Sequence, residues 1–261
     1  MFYTRKNKGL TLLEVWFQLP PPSVRGKYAA SFLHNIPLPF VPEKGEYIIK
    51  RRDGQTLVTD LTQSGEELML RCERNVRNEI RRAKKDGAQC RHYMAEELRS
   101  REYLLRQFDK AYMEMHRSKG MAAPSVFTYM QQLLRANMLS ISTCSIGDQI
   151  AAYHVYITGD GIARLLYSVS VFRNTEDGAL RSAIGRGNRM LHYEDMLWLK
   201  GQGYTCYDWG GYATDPALES INAFKRGFGG EVQPRSYMVI TSKRWARFAY
   251  LVLEHTRKAK K

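Results

Sequence analysis

Hydrophobic and polar positions change period along the chain, and the changes mark its organisation. Up to about residue 62 the runs are short and β-like. Residues 10–17 form one run, a Pro-rich passage (Pro20–Pro22, Pro37, Pro39, Pro42) follows, and 47–51 and 56–61 flank Asp53-Gly54. Asp-Gly between two such runs predicts a hairpin, because both residues accept the positive φ of a tight turn. Ser64-Gly-Glu-Glu67 is a capping box, and it predicts a helix running to Asp86-Gly87. Within it Leu68, Cys72, Val76, Ile80 and Ala83 make an apolar stripe, and Arg74, Arg77, Arg81 and Lys85 a basic one. Helices over 95–118 and 125–137 follow, the first with Leu98, Leu105, Phe108, Tyr112 and Met115 in phase.

The period then drops to two. Residues 138–146, 150–158 and 163–171 read as strands separated by Gly147-Asp148 and Gly159-Asp160-Gly161, an antiparallel meander. A long helix over 180–202, a strand over 204–209, a short helix over 216–226, a strand over 232–241 and an amphipathic helix over 243–255 complete the pattern. This order predicts an α+β fold with one mixed sheet flanked by helices. It divides into a β-rich portion plus basic helix (1–87) and a second domain (88–261).

Composition narrows the classes. With 44% hydrophobic and 11% aromatic residues in 261, a packed core is available, and disordered, collagenous and disulfide-scaffold chains are excluded. The apolar run 248–253 is six residues, against the ~20 that a spanning helix needs. Residues 10–19 carry Glu14 and Gln18 and run into Pro20, so they read as a strand and not a leader. The four cysteines form no C-x-x-C pair and the six histidines no H-x-x-x-H, so reduced thiols, no metal and a cytoplasmic location are expected. The 40 basic against 26 acidic residues leave +14, which asks for an anionic partner: nucleic acid, a membrane surface or a phosphate-rich small molecule.

Two segments carry candidate chemistry. Arg181-Ser-Ala-Ile-Gly-Arg-Gly-Asn-Arg189 sets Gly185 and Gly187 among arginines near a helix start. It reads either as a phosphate cradle or as close helix packing with solvated arginines. Tyr207-Asp-Trp-Gly-Gly211 ends a strand with Asp208, and Phe224-Lys-Arg-Gly-Phe-Gly-Gly230 places Lys225 late in a helix beside Phe224 and Phe228. The glycines serve either a site or simple turns, and Lys225 is either a buried cation or a helix-terminal charge.

Four motifs, Arg77-Asn-Glu-Ile-Arg-Arg-Ala-Lys-Lys-Asp-Gly87, Ile184-Gly-Arg-Gly-Asn-Arg-Met-Leu-His192, Tyr207-Asp-Trp-Gly-Gly211 and Phe224-Lys-Arg-Gly-Phe-Gly-Gly230, occur in an order that resembles the Fem-like branch of the GNAT acyltransferase superfamily. That branch holds the aminoacyltransferases that build peptidoglycan cross-bridges and relatives classed as N-acetyltransferases. The resemblance, over about 56–241, implies a GNAT-like mixed sheet with an abbreviated GNAT-like N-terminal half. It implies amide formation on a primary amine: an amino sugar, sugar nucleotide or peptide precursor of the cell envelope. Lys225 would stabilise the oxyanion, Phe224 would pack by the donor, and Asp208 would orient or deprotonate the amine. Arg181, Gly185, Arg186 and Gly187 would hold donor phosphate.

The chain departs from the family pattern in its short N-terminal half, in lacking a coiled-coil arm, and in the four-residue step from Arg181 to Gly185. The donor is therefore open between acyl-CoA and aminoacyl-tRNA, the latter gripped through Arg74, Arg77, Arg81 and Lys85. Outside enzymology, the basic stretch 71–91 suits a nucleic-acid-binding protein, although no aromatics interleave it. The terminal helix either packs on the sheet or makes peripheral contact with an anionic membrane.

Overall fold

The structure, a computed structural model, describes residues 1–171 and 177–248. The described strands are β1 (Phe2–Asn7), β2 (Leu10–Trp16), β3 (Ser31–Pro37), β4 (Tyr47–Asp60), β5 (Gln89–Met94), β6 (Leu139–Ile146), β7 (Gln149–Gly159), β8 (Ile162–Ser170), β9 (Cys206–Gly211) and β10 (Glu231–Thr241). The helices are α1 (Pro22–Arg25), α2 (Gly65–Arg71), α3 (Arg74–Lys85), α4 (Ala95–Arg99), α5 (Tyr103–Ser118), α6 (Phe127–Arg135), α7 (Gly178–Gly201) and α8 (Glu219–Arg226). They gather into two compact units. One comprises Met1–Thr56, Gly211–Ala213 and the chain from Val232; the other comprises Leu57–Gly210 and Thr214–Glu231. The basic helix α3 belongs to the second.

The first unit carries the strand order β1-β2-β3-β10-β4. β1 and β10 run antiparallel to their neighbours β2 and β3, and β2 is parallel to β3. Its core is Leu13, Val15, Leu33, Ile36, Met238 and Ile240. The hairpin expected at Asp53-Gly54 does not form: β4 runs through it as one strand of 14 residues. Asp53 is held extended by Arg51 Nε at 2.8 Å and by the Ser236 hydroxyl at 2.7 Å, partners that a turn would forfeit. β1 is a strand despite Arg5 and Lys6, because an edge strand tolerates charge and Arg5 pairs with Glu14 on β2.

The second unit carries β4-β9-β8-β7-β6-β5, with the expected antiparallel meander of β6, β7 and β8 and with β9 parallel to β8. The capping box at Ser64 forms in full. The single helix expected from there to residue 86 is two, because Cys72 turns extended (ψ 143°) and Arg77 reaches back to the carbonyls of Leu70 and Cys72. The Glu73 amide meanwhile donates to the Gly227 carbonyl at 2.8 Å. The apolar stripe survives the break, with Leu68, Cys72, Val76, Ile80 and Ala83 all buried. The helix expected over 95–118 likewise divides, into α4 and α5.

Alternation along the strands gives the sheet two different faces. Tyr153 and Tyr167 meet Phe108 of α5 on one. The other lies under α7 and presents a cross-strand row of His92, Ser142, His154 and Ser168. No described helix is long and apolar enough to cross a membrane. Residues 244–248 are helical with Trp245 and Phe248 exposed, and the rest of the helix expected over 243–255 lies outside the described residues.

Candidate active site

The chemistry-bearing residues concentrate where β8 and β9 approach α8. Tyr207 and Trp209 of β9 turn toward α7, and Trp209 Nε1 donates to Thr59 Oγ1 at 2.9 Å. Alternation sends Asp208 the other way, opposite its register partner Arg164 on β8. Arg164 Nη1 donates to Asp208 Oδ1 at 2.6 Å, and the Gly210 amide donates to the same oxygen at 2.8 Å. Gly210 must be glycine: its φ is +79°, and a Cβ there would stand 3.0 Å from the Leu165 carbonyl oxygen. Asp208, 1% exposed, is thus an anchored counter-ion.

A Pro216 turn capped by Asp215 leads into α8, whose last turn carries Phe224 and Lys225. Lys225 is partly buried. Burial, reinforced by the Arg164 charge, pushes its ammonium down to about 8, with Asp208 opposing the shift. The lysine is a partly desolvated cation beside a part-buried ion pair. Arg164 escaped the sequence reading, although it is the one charge in the otherwise uncharged strand Ile-Ala-Arg-Leu-Leu-Tyr-Ser-Val-Ser.

The glycine-arginine segment divides differently. It lies in the body of α7, where the amides of Gly185 and Gly187 belong to the helix ladder, and the start of α7 is capped instead by Asp177. Gly187 faces the sheet: a Cβ would meet Cys144 Sγ at 3.1 Å, so its smallness serves close packing. Gly185 and Arg186 face outward and line a groove of about 510 Å³ with Arg82, Glu79, Ser182 and Arg189. Arg186 also pairs with Asp86 at 2.7 Å. Arg181 is exposed in the first turn of α7. Arg189 links groove to lysine, since its guanidinium sits 5.2 Å from the centre of the Phe224 ring.

Beneath α7 the polar row closes into a network. His154 Nδ1 lies 2.6 Å from Asp195 Oδ2 and its Nε2 lies 3.1 Å from Asn188 Oδ1. His192 stacks on His154 at 3.9 Å between ring centres. The ligating atoms of His154, His192 and Asp195 lie within 4.8 Å of one another, the one such grouping among the described residues. The hydrogen bonds that His154 and Asp195 already make define it as a polar network.

Residues 71–226 match the family model of the GNAT acetyltransferase domain. The chain belongs to this family. Among curated protein sequences none matches it. Its fold is also that of several solved structures. FemX aligns at 13% identity with a TM-score of 0.62, over 91% of this chain and 83% of that one. L-PGS from Bacillus licheniformis aligns at 12% identity and 0.54, over 97% and 84%. The C-terminal DUF2156 domain from Agrobacterium fabrum aligns at 14% and 0.55, over 96% and 83%. In the GNAT domain of this chain, Lys225, Asp208 and Arg164 form one cluster. Gly185, Arg186, Arg82 and Arg189 form another, and Phe224 stands between them.

Proposed function

We propose that this GNAT domain transfers an acyl group from an acyl-CoA-type donor to a primary amine, forming an amide. The observation that carries the reading is the desolvated Lys225 ammonium, set beside the Arg164–Asp208 pair and next to Phe224. Attack on an acyl carbon builds negative charge on the carbonyl oxygen. A fixed cation stripped of water stabilises that charge far more than one in bulk solvent, and it needs no reorganisation during the step. Holding donor and amine together supplies much of the remaining acceleration. Asp208, already accepting from Arg164 and Gly210, serves as counter-ion to this cation pair.

The groove of Arg82, Arg186 and Arg189 is the reading's site for donor phosphate, with Phe224 packing by the acyl end. Arg189→Ala is expected to raise the donor KM ten- to a hundredfold, the loss of one charge-assisted hydrogen bond of about 1.5–3 kcal/mol. Steady-state kinetics at fixed amine checks it; an unchanged KM removes the groove from the donor site. The acceptor class that the Fem resemblance supports is an amino sugar, sugar nucleotide or peptide precursor of the cell envelope.

The first test is thermal melting with and without CoA and acetyl-CoA. At 100 times its Kd a ligand stabilises by about 2.7 kcal/mol, and a clear upward shift in Tm is expected. A second reading, aminoacyl-tRNA as donor, is favoured by α3: its exposed Arg74, Arg81 and Lys85 share the helix with Arg82, which lines the groove. Arg77 is drawn into the α2–α3 break instead. On that reading CoA leaves Tm unchanged, and tRNA binding weakens steeply with salt.

A further inference from the structure

Between α7 and the sheet lies a chain of polar groups that the step above leaves unused. His192 Nδ1 is 2.8 Å from the Tyr207 hydroxyl oxygen, that oxygen is 2.7 Å from the Tyr156 hydroxyl, and the Tyr156 hydroxyl is 2.5 Å from Asp195 Oδ2. None of the four side chains is more than 2% exposed. Burial pushes the Asp195 carboxyl upward, but the imidazoles of His154 and His92 outweigh it and hold it well below the usual range. His154 supplies an aligned hydrogen bond; His92 Nε2 stands 3.0 Å from Oδ1, off the line of one.

An ionised carboxylate only accepts, so the direction of every bond follows from that end. Tyr156 donates to Asp195, its oxygen accepts from Tyr207, and the oxygen of Tyr207 accepts from His192 Nδ1–H. Burial, joined by the neighbouring His154 ring, Lys225 on α8 and Arg189 one turn back on α7, keeps His192 neutral, with Asp195 pulling the other way. A neutral imidazole has a single N–H. Its Nε2 therefore carries a lone pair, on a ring 5.5 Å between centres from both Phe224 and Phe228.

We propose that His192 is the general base of the transfer, accepting at Nε2 the proton that the attacking amine sheds. The Tyr207–Tyr156 chain ties the resulting imidazolium to the Asp195 carboxylate. This rests on the acyl-transfer reading. The amine lone pair forms the C–N bond, the carbon–sulfur bond of the thioester breaks, and the proton passes from His192 to the departing thiolate. Products are amide and thiol, and the neutral base is restored. Asp208 is committed to Arg164 and the Gly210 amide, which leaves the role to a group that is neutral at pH 7.

Two variants and one spectrum test this. His192→Gln is expected to lower kcat by about a hundredfold or more at unchanged donor KM. Tyr207→Phe keeps the ring volume and is expected to lower kcat about tenfold. It also moves the acid limb of the kcat profile to lower pH, because the imidazolium loses its link to Asp195. If His192→Gln does not fold, Tyr207→Phe decides alone. Wild-type kcat and an unmoved acid limb in the folded variants overturn the proposal. Independently of turnover, ¹⁵N NMR of the imidazoles at pH 7 is expected to find His192 as the Nδ1–H tautomer, and an Nε2–H tautomer overturns it. Absence of acyl transfer in the wild-type protein overturns the parent reading, and the base assignment with it.

Discussion

Lys225→Met is expected to lower kcat by roughly 10²–10³-fold, the range for removing one oxyanion-stabilising group, in a protein that is no less stable than wild type. Methionine keeps the length and apolar stem of the side chain and removes the ammonium, both its charge and its N–H donors. The stability half of the prediction follows from the direction of the shift. The ordinary lysine value is 10.5 and the folded value is about 8, so between these the unfolded chain binds more protons than the folded one. Wild-type stability should therefore climb as pH rises from about 8 to 10.5, while at pH 7 the buried charge works against folding. In Lys225→Met that climb disappears and Tm at pH 7 holds or rises. Melts at pH 7 and pH 9.5 alongside turnover measure both halves. Turnover that survives the substitution would remove Lys225 from the oxyanion role.

Asp195→Ala is expected to be the most destabilising single change in the second unit. It strips the shared acceptor from His154 and Tyr156, which lie 2.6 and 2.5 Å from Oδ2, and leaves both donors buried. Breaking a buried pair by removing one partner costs about 3–5 kcal/mol, which urea denaturation at pH 7 resolves. The pH dependence has a definite sign. The carboxyl is depressed in the folded state, so its contribution is complete above its unfolded value of about 3.9 and is lost as pH falls toward the folded value. The gap between wild type and variant should hold from pH 5 to 8 and close below pH 4. A gap under 1 kcal/mol at pH 7 would mean that the network contributes little to the fold.

Both residues stand at places that sequence reading treated unequally. Lys225 and Phe224 could be singled out as candidates because a short motif at a helix end carries the family resemblance, which supplied their proposed roles. Asp195 was not, since a lone aspartate in a long helix pattern looks like any solvated charge. Only when α7 lies across β7 does it meet His154 and Tyr156, 41 and 39 residues away. His192 appeared within a motif but without a role, for the same reason. Arg164 needed the register of β8 against β9 before its partner could be known. The two glycines of the α7 segment looked equivalent in the chain. The helix rotates them to different sides, so that Gly187 packs on Cys144 while Gly185 lines the groove.

What the sequence determined by itself is what local periodicity and local hydrogen bonding control. The stripe of Leu68, Cys72, Val76, Ile80 and Ala83, the Ser64 capping box, the β6–β8 meander and the length of α7 all follow from residues within a few positions of one another. Tertiary structure decided everything that depends on a distant partner. β1 and β3 are strands because neighbours accept their backbone groups, and β4 runs straight because Arg51 and Ser236 hold Asp53 extended. The helix breaks at Cys72 because the Glu73 amide finds Gly227, and the cation, its counter-ion and the buried imidazoles come near one another only when β8, β9, α7 and α8 converge. Hydrogen bonds and desolvation act over a few ångströms of space, and separation along the chain carries no record of which residues the fold brings within that reach.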